Sequence, residues 1–175
     1  MELSELGRQI YASAHLTGEF VLRSGQVAGE YFDKYRFEAD PVLLDAVAEA
    51  MVPLVPEGTE VLAGLEMGGI PVVTALGRHT GLPCAFVRKE AKAYGTRRLA
   101  EGAETAGKRV TIVEDVVTTG GQIVLSTRDL RALGAEITDA LCVINRNPTT
   151  PAPLTEAGLT LHALLTSDDL IPGTS

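Results

Sequence analysis

The chain has 175 residues and a formal net charge of −8, from 23 acids against 15 bases, and 45% of its residues are hydrophobic. That length suits one domain with one core (1–175), and the composition is that of a soluble globular protein. The acidity makes the chain a poor general binder of nucleic acid, the lack of any apolar run of roughly 18 residues excludes a membrane-spanning helix, and an N-terminus with early acids and no long apolar core is expected of a cytoplasmic protein.

Residues 4–14 place Leu6, Ile10 and Ala14 on one helical face, which predicts a first helix. FVLRSG (20–25) and EYFDKYRF (30–37) read as short strands around a QVAG turn, so that 1–40 form an N-terminal helix and hood and 41–175 the core. Asp40 and Pro41 have the chemistry of an N-cap and a first helical position. Val42, Leu43, Val47, Ala50 and Met51 then follow helical spacing until Pro53 and Pro56. A strand–helix alternation begins at EVLAGL (60–65), continues through the helix at 70–79, and includes strands at 83–89 and 109–116. A helix at 123–133, stopped by Gly134, and a strand at 136–145 complete it. RVTIVEDV (109–116) has the unbroken apolar core of a central parallel strand. The alternation implies an α/β fold, a central mostly parallel sheet flanked by helices. Ligands in such folds bind beyond the carboxyl ends of the strands, here after Leu65, Val87, Val113 and Ile144.

Five of the 15 bases, Arg88, Lys89, Lys92, Arg97 and Arg98, cluster with only Glu90 between them. A cationic patch on an acidic chain points to a small, highly charged anion. The segment 91–107 lacks an apolar period and is long for a connection, as mobile lids are. Cys84 and Cys142 have no metal-ligand spacing and read as buried small hydrophobes. His15, His79 and His162 match no motif and read as structural.

The sharpest signal is VTIVEDVVTTGGQ, residues 110–122. Gly120 and Gly121 permit a tight turn that brings N–H groups close to a ligand. Thr118 and Thr119 add hydroxyls, and the helix behind them contributes about +0.5 charge at its N-terminus. Together these make a phosphate cradle. Glu114 and Asp115 lie just upstream, where carboxylates accept hydrogen bonds from ribose hydroxyls. The segment is neither a GxxxxGK[ST] nor a GxGxxG loop.

This segment resembles the motif by which type I phosphoribosyltransferases bind 5-phosphoribosyl 1-diphosphate (PRPP). FVRKEAKAYGTRRLAEG (86–102) is similar to the basic segment and mobile loop of orotate phosphoribosyltransferases, and LRSGQVAGEYFD (22–33), AGLEMGGIPV (63–72) and VINR (143–146) follow in that family's order. The resemblance implies the type I fold with an N-terminal hood and mobile loop. It also implies transfer of ribose 5-phosphate from PRPP to orotate in UMP synthesis, with Mg²⁺ carried mainly by PRPP rather than by protein ligands. It assigns PRPP to Arg23, Met67, Gly68, Arg88, Lys89, Lys92 and Tyr94, and to the run Glu114, Asp115, Val116, Val117, Thr118, Thr119, Gly120, Gly121 and Gln122. Lys89, Lys92, Glu114 and Asp115 carry the catalytic expectation. Orotate is assigned to Tyr31, Phe32, Thr118 and Arg146, the last because an arginine fork suits the carboxylate that uracil lacks. In the family some lid residues reach the neighbouring subunit, which implies a homodimer with shared sites. Arg23 stands where the family commonly has lysine, and Tyr94 where histidine is frequent. The alternatives are a phosphoribosyltransferase for another base and a PRPP-sensing regulator that binds nucleic acid, the second opposed by the charge of −8.

Overall fold

The computed structural model describes residues 1–95 and 98–170. Its centre is a six-stranded sheet in the order β5-β4-β3-β6-β7-β8. The strands are β3 Val61–Leu65, β4 Cys84–Val87, β5 Ala100–Gly102, β6 Arg109–Val117, β7 Glu136–Asn145 and β8 Thr160–Thr166. β6 pairs in parallel with β3 on one side and β7 on the other, which is why its apolar run is unbroken. All pairings are parallel except that of the edge strand β5 with β4.

Helices cover both faces. α1 Leu3–Ala14, α2 Tyr35–Ala39, α3 Pro41–Met51 and α4 Gly69–Thr80 supply Leu6, Ile10, Phe37, Val47, Met51 and Leu76 to one buried cluster. α5 Gly121–Ala132 and α6 Ala152–Glu156 supply Ile123, Leu130 and Leu154 to the other. Burial of such side chains stabilises each by roughly 1.5–3 kcal/mol. The Asp40 carboxylate caps α3, accepting from the N–H groups of Val42 at 3.0 Å and Leu43 at 3.1 Å, as Asp40-Pro41 predicted.

The hood hairpin departs from its expected bounds. β1 His15–Val21 and β2 Val27–Phe32 form a separate antiparallel sheet, with the turn at 22–26 rather than at QVAG. The reason lies in Gly25, whose φ of +84° suits the turn closed by Leu22 N–H to the Gln26 carbonyl at 2.7 Å. The second strand stops at Phe32, and residues 35–39 are helical, which buries Phe37 and Glu38. The expected lid also differs. β5 pins residues 100–102 to β4, so part of the expected 91–107 segment belongs to the sheet. β8 and the short terminal helix α7 Ser167–Leu170 extend the sheet side beyond the predicted elements.

From β3 the chain crosses through α4 to β4 on one side, then returns past β3 to β6 and continues to β7 and β8. The strand order therefore reverses between β3 and β6, where an open parallel sheet forms its ligand crevice.

Candidate active site

The loop after β6 forms one wall of that crevice. Every residue from Glu114 to Ile123 except Asp115 lines a cavity of about 120 Å³. Gly120 takes φ +77° as the residue before α5, and the start of α5 has no side-chain cap. Of its first N–H groups, that of Gly121 donates to Thr119 Oγ1 at 3.3 Å, and those that follow keep the electrostatic arrangement of a phosphate site. A Cβ on Gly120 would lie 2.9 Å from Leu154 Cγ, so α6 backs the loop closely. Asn147 braces the cradle by donating from Nδ2 to the Thr118 carbonyl at 2.6 Å, and the Arg146 N–H donates to the Val117 carbonyl at 2.9 Å.

The two acids of the motif differ in exposure but stay linked, the Asp115 N–H donating to Glu114 Oε1 at 3.1 Å. Glu114 borders the cradle, while the Asp115 side chain is fully buried. Asp115 Oδ2 sits 2.6 Å from Lys34 Nζ, and its Oδ1 accepts from the Val116 N–H at 2.6 Å. Burial alone would raise the Asp115 carboxyl, but the bond from Lys34, with those from Glu114 and Glu38, holds it below its ordinary range. Burial first, then the charge of Asp115, pushes Glu114 well up. Burial first, then the bond and charge of Asp115, pushes Glu38 to about 9.

The opposite wall is the turn after β3. Met67 is exposed, and the Glu66–Met67 peptide is cis. A Cβ on Gly68 would fall 1.7 Å from Asp115 Oδ2, so this glycine is what lets the turn approach the buried acid.

Arg146, at the end of β7, stacks its guanidinium 4.7 Å from the centre of the Phe32 ring. The pair borders a second cavity, of about 350 Å³, with Tyr11, His15, Glu30, Tyr31, Ser167 and Leu170. Three of the four expected base contacts, Tyr31, Phe32 and Arg146, thus surround one space, while Thr118 borders the cradle. Arg23 is exposed at the hairpin turn and borders a different cavity, shared with Phe20 and Tyr31.

The basic segment follows β4 along the same edge of the sheet. Lys92 Nζ lies 2.7 Å from Glu101 Oε1 on β5 and Arg88 Nη2 lies 3.8 Å from it, while Lys92 also stands 5.8 Å from the Tyr94 ring centre. The Lys92 bond, against a smaller opposing effect of burial, lowers the Glu101 carboxyl. The Lys89 N–H donates to the Glu66 carboxylate, tying the lid root to the turn after β3. Tyr94 and the Lys89 side chain are exposed. Arg98 pairs with Glu104 at 2.9 Å. Arg97 lies outside the described residues.

Several residues here had no sequence signal as site groups: Lys34, Glu38, Asn147, Tyr11 and His15. His79 and His162 pair with Asp45 and Asp139 at 2.9 and 2.7 Å, and both cysteines are free, with burial raising each thiol. Among the described residues no group of three or more His, Cys, Asp or Glu side chains is arranged to hold a metal ion. No helix there is long and apolar enough to cross a membrane.

Residues 36–157 match the model of the phosphoribosyl transferase domain. An orotate phosphoribosyltransferase of Nocardioides sp. is 53% identical over 165 residues, covering 94% of this chain and 92% of that protein. A Mycobacterium tuberculosis orotate phosphoribosyltransferase structure superposes with a TM-score of 0.84 at 29% identity, covering 96% of this chain and 98% of that one. The same organism's enzyme in complex with PRPP gives a TM-score of 0.81 at 26% identity, with 96% and 98% covered.

Proposed function

The chain belongs to the phosphoribosyl transferase domain family, and on that premise we propose that it transfers the 5-phosphoribosyl group of PRPP to orotate, giving orotidine 5′-monophosphate and pyrophosphate. The observation that carries this reading is the adjacency of two spaces joined at Val117–Arg146: a helix N-terminus lined by Glu114 and 116–123, and a cavity bordered by an arginine stacked on Phe32.

In this reading the 5-phosphate sits against the N–H groups of 119–122, and a Glu114 carboxyl oxygen accepts from the ribose hydroxyls. Arg146 grips the orotate carboxylate as a fork, and Phe32 fixes the guanidinium's plane. Breaking the C1–O bond leaves positive charge on the ribose and builds negative charge on the departing diphosphate. In this reading Arg88, Lys89 and Lys92 receive that charge, and their attraction strengthens as the lid excludes water: about 1 kcal/mol per pair at 4 Å in water becomes about 4 at an effective dielectric of 20.

Mg²⁺ fits this donor set as a cation that arrives with the diphosphate. Among the described residues no acid cluster is arranged to hold a metal ion, and a magnesium ion that keeps several waters can be carried by the substrate's own phosphate oxygens. Bound there, it would neutralise the leaving group. A homodimer with lid residues reaching the partner's crevice is part of the same proposal, as is a cytoplasmic location, which suits the two free thiols.

Mixing the purified protein with PRPP, Mg²⁺ and orotate is expected to bleach the ultraviolet absorbance of orotate and release pyrophosphate. Consumption of a different base from a panel, with orotate untouched, overturns the substrate.

A further inference from the structure

Beneath the crevice lies a cluster that the reaction as described leaves unused. Lys34 precedes α2, and Glu38 follows it by one helical turn; both face the buried side of β6. Glu38 is only 6% exposed, and both its carboxylate oxygens lack a conventional hydrogen-bond partner. The charged groups around it are Asp115 and Glu114 from β6 and Lys34 from its own segment. One ammonium thus faces three carboxyl groups. An uncompensated buried carboxylate is costly enough that protonation is the cheaper state. Asp115 already holds the ammonium at 2.6 Å, so the proton falls to its neighbours.

Asp115 is the mechanical link between the crevice walls. Its Oδ1 holds the N–H of Val116, which lines the cradle, and its Oδ2 packs where a Gly68 side chain would be. Whatever fixes the rotation of this carboxylate fixes the spacing between the turn after β3 and the loop after β6.

We propose that Glu38 is a neutral carboxylic acid that donates its proton to Asp115 and that, with Lys34, it clamps Asp115 in the orientation the PRPP site needs. Glu38 and Lys34 are positioning residues: they touch Asp115, not the substrate. The positioning role rests on the proposed function, whereas the protonation state does not.

Two measurements test the two halves. Infrared difference spectra of wild type against Glu38→Gln, without ligand at neutral pH, are expected to show the C=O stretch of a protonated carboxyl group that the variant lacks. A carboxylate signature alone overturns the proposal. In calorimetric titrations with PRPP and Mg²⁺, Glu38→Gln keeps an N–H donor of similar shape and is expected to stay within about twofold of wild type, whereas Glu38→Leu and Lys34→Met weaken PRPP by roughly tenfold or more, the scale of one charge-assisted hydrogen bond. Glu38→Leu binding as wild type does, or Glu38→Gln losing as much as Glu38→Leu, overturns the clamp. Wild type failing to bind PRPP overturns the proposed function and the positioning role with it, and the infrared result still decides the protonation.

Discussion

Lys92 in the lid and Glu101 on β5 form an ion pair at 2.7 Å, with Arg88 second to the same carboxylate at 3.8 Å. An acid of the chain itself thus engages two of the lid cations. PRPP has to displace it, so Glu101→Gln is expected to lower the KM for PRPP modestly, by no more than about fivefold, the range of partly exposed pairs. The gain shrinks as salt rises, because the freed cations are screened. Steady-state kinetics at two ionic strengths check this. A KM that rises, or a change independent of salt, contradicts the latch.

Gly68 is held to glycine by its neighbour rather than by its own backbone. Its φ of −66° is ordinary, yet an added Cβ would overlap Asp115 Oδ2 at 1.7 Å. Gly68→Ala therefore forces a fully buried carboxylate to move, with a stability loss of about 1–3 kcal/mol, the usual range for overpacking. The KM for PRPP rises with it. Thermal melting and kinetics of the alanine variant test both, and an unperturbed variant would show that Asp115 does not bridge the walls.

Arg146 should not be replaceable by lysine. A fork bonded to a carboxylate contributes roughly 1.5–3 kcal/mol, so losing its geometry raises the KM for orotate by tenfold or more while leaving the KM for PRPP near wild type. The Phe32 contact at 4.7 Å adds a planar constraint that an ammonium cannot satisfy in the same way. An Arg146→Lys enzyme with unchanged orotate KM would remove this residue from base recognition.

What the sequence made legible was whatever local chemistry decides. The run at 109–116 could only be a strand buried on both faces, and Asp40-Pro41 could only open a helix; both are where expected, β6 extending through Val117. The cradle was legible because glycines, threonines and a helix start fall in one continuous segment. Residues 30–37 misled because aromatic side chains favour strands, and burial of Phe37 against distant helices outweighs that preference. Lys34 and Glu38 were invisible as a pair with Asp115 because their partner is remote in the chain and a buried acid carries no local mark. β8 was obscured by His162, which interrupts an apolar segment and is satisfied only by Asp139 on β7.

The Lys89 side chain is exposed at the lid root, while Arg146 lies across the crevice at the end of β7. If the lid serves the neighbouring subunit, hybrids of Lys89→Ala and Arg146→Ala subunits contain one crevice free of both changes. Mixed dimers are then expected to recover activity far above either parent. Hybrids as inactive as their parents place Lys89 in its own chain's site.

The buried carboxyl cluster also sets how stability varies with pH. Glu38 ordinarily titrates near 4.5 and in the fold near 9. Because its folded value is raised, the folded state holds a proton that the unfolded state releases throughout that window. Stability is thus fullest below the ordinary value and declines as pH climbs toward 9, by at most about 1.4 kcal/mol per pH unit for one proton. Glu114 is raised as well, by burial and the charge of Asp115, and adds a decline of the same sign. Asp115 is shifted the other way, so its contribution is present above its ordinary value and fades only in acid, outside this window. Denaturant titrations at pH 6 and pH 8.5 should therefore show wild type losing more stability than Glu38→Gln over the interval. Parallel losses in the two proteins would mean that Glu38 is ionised in the fold and that the decline belongs to Glu114 alone.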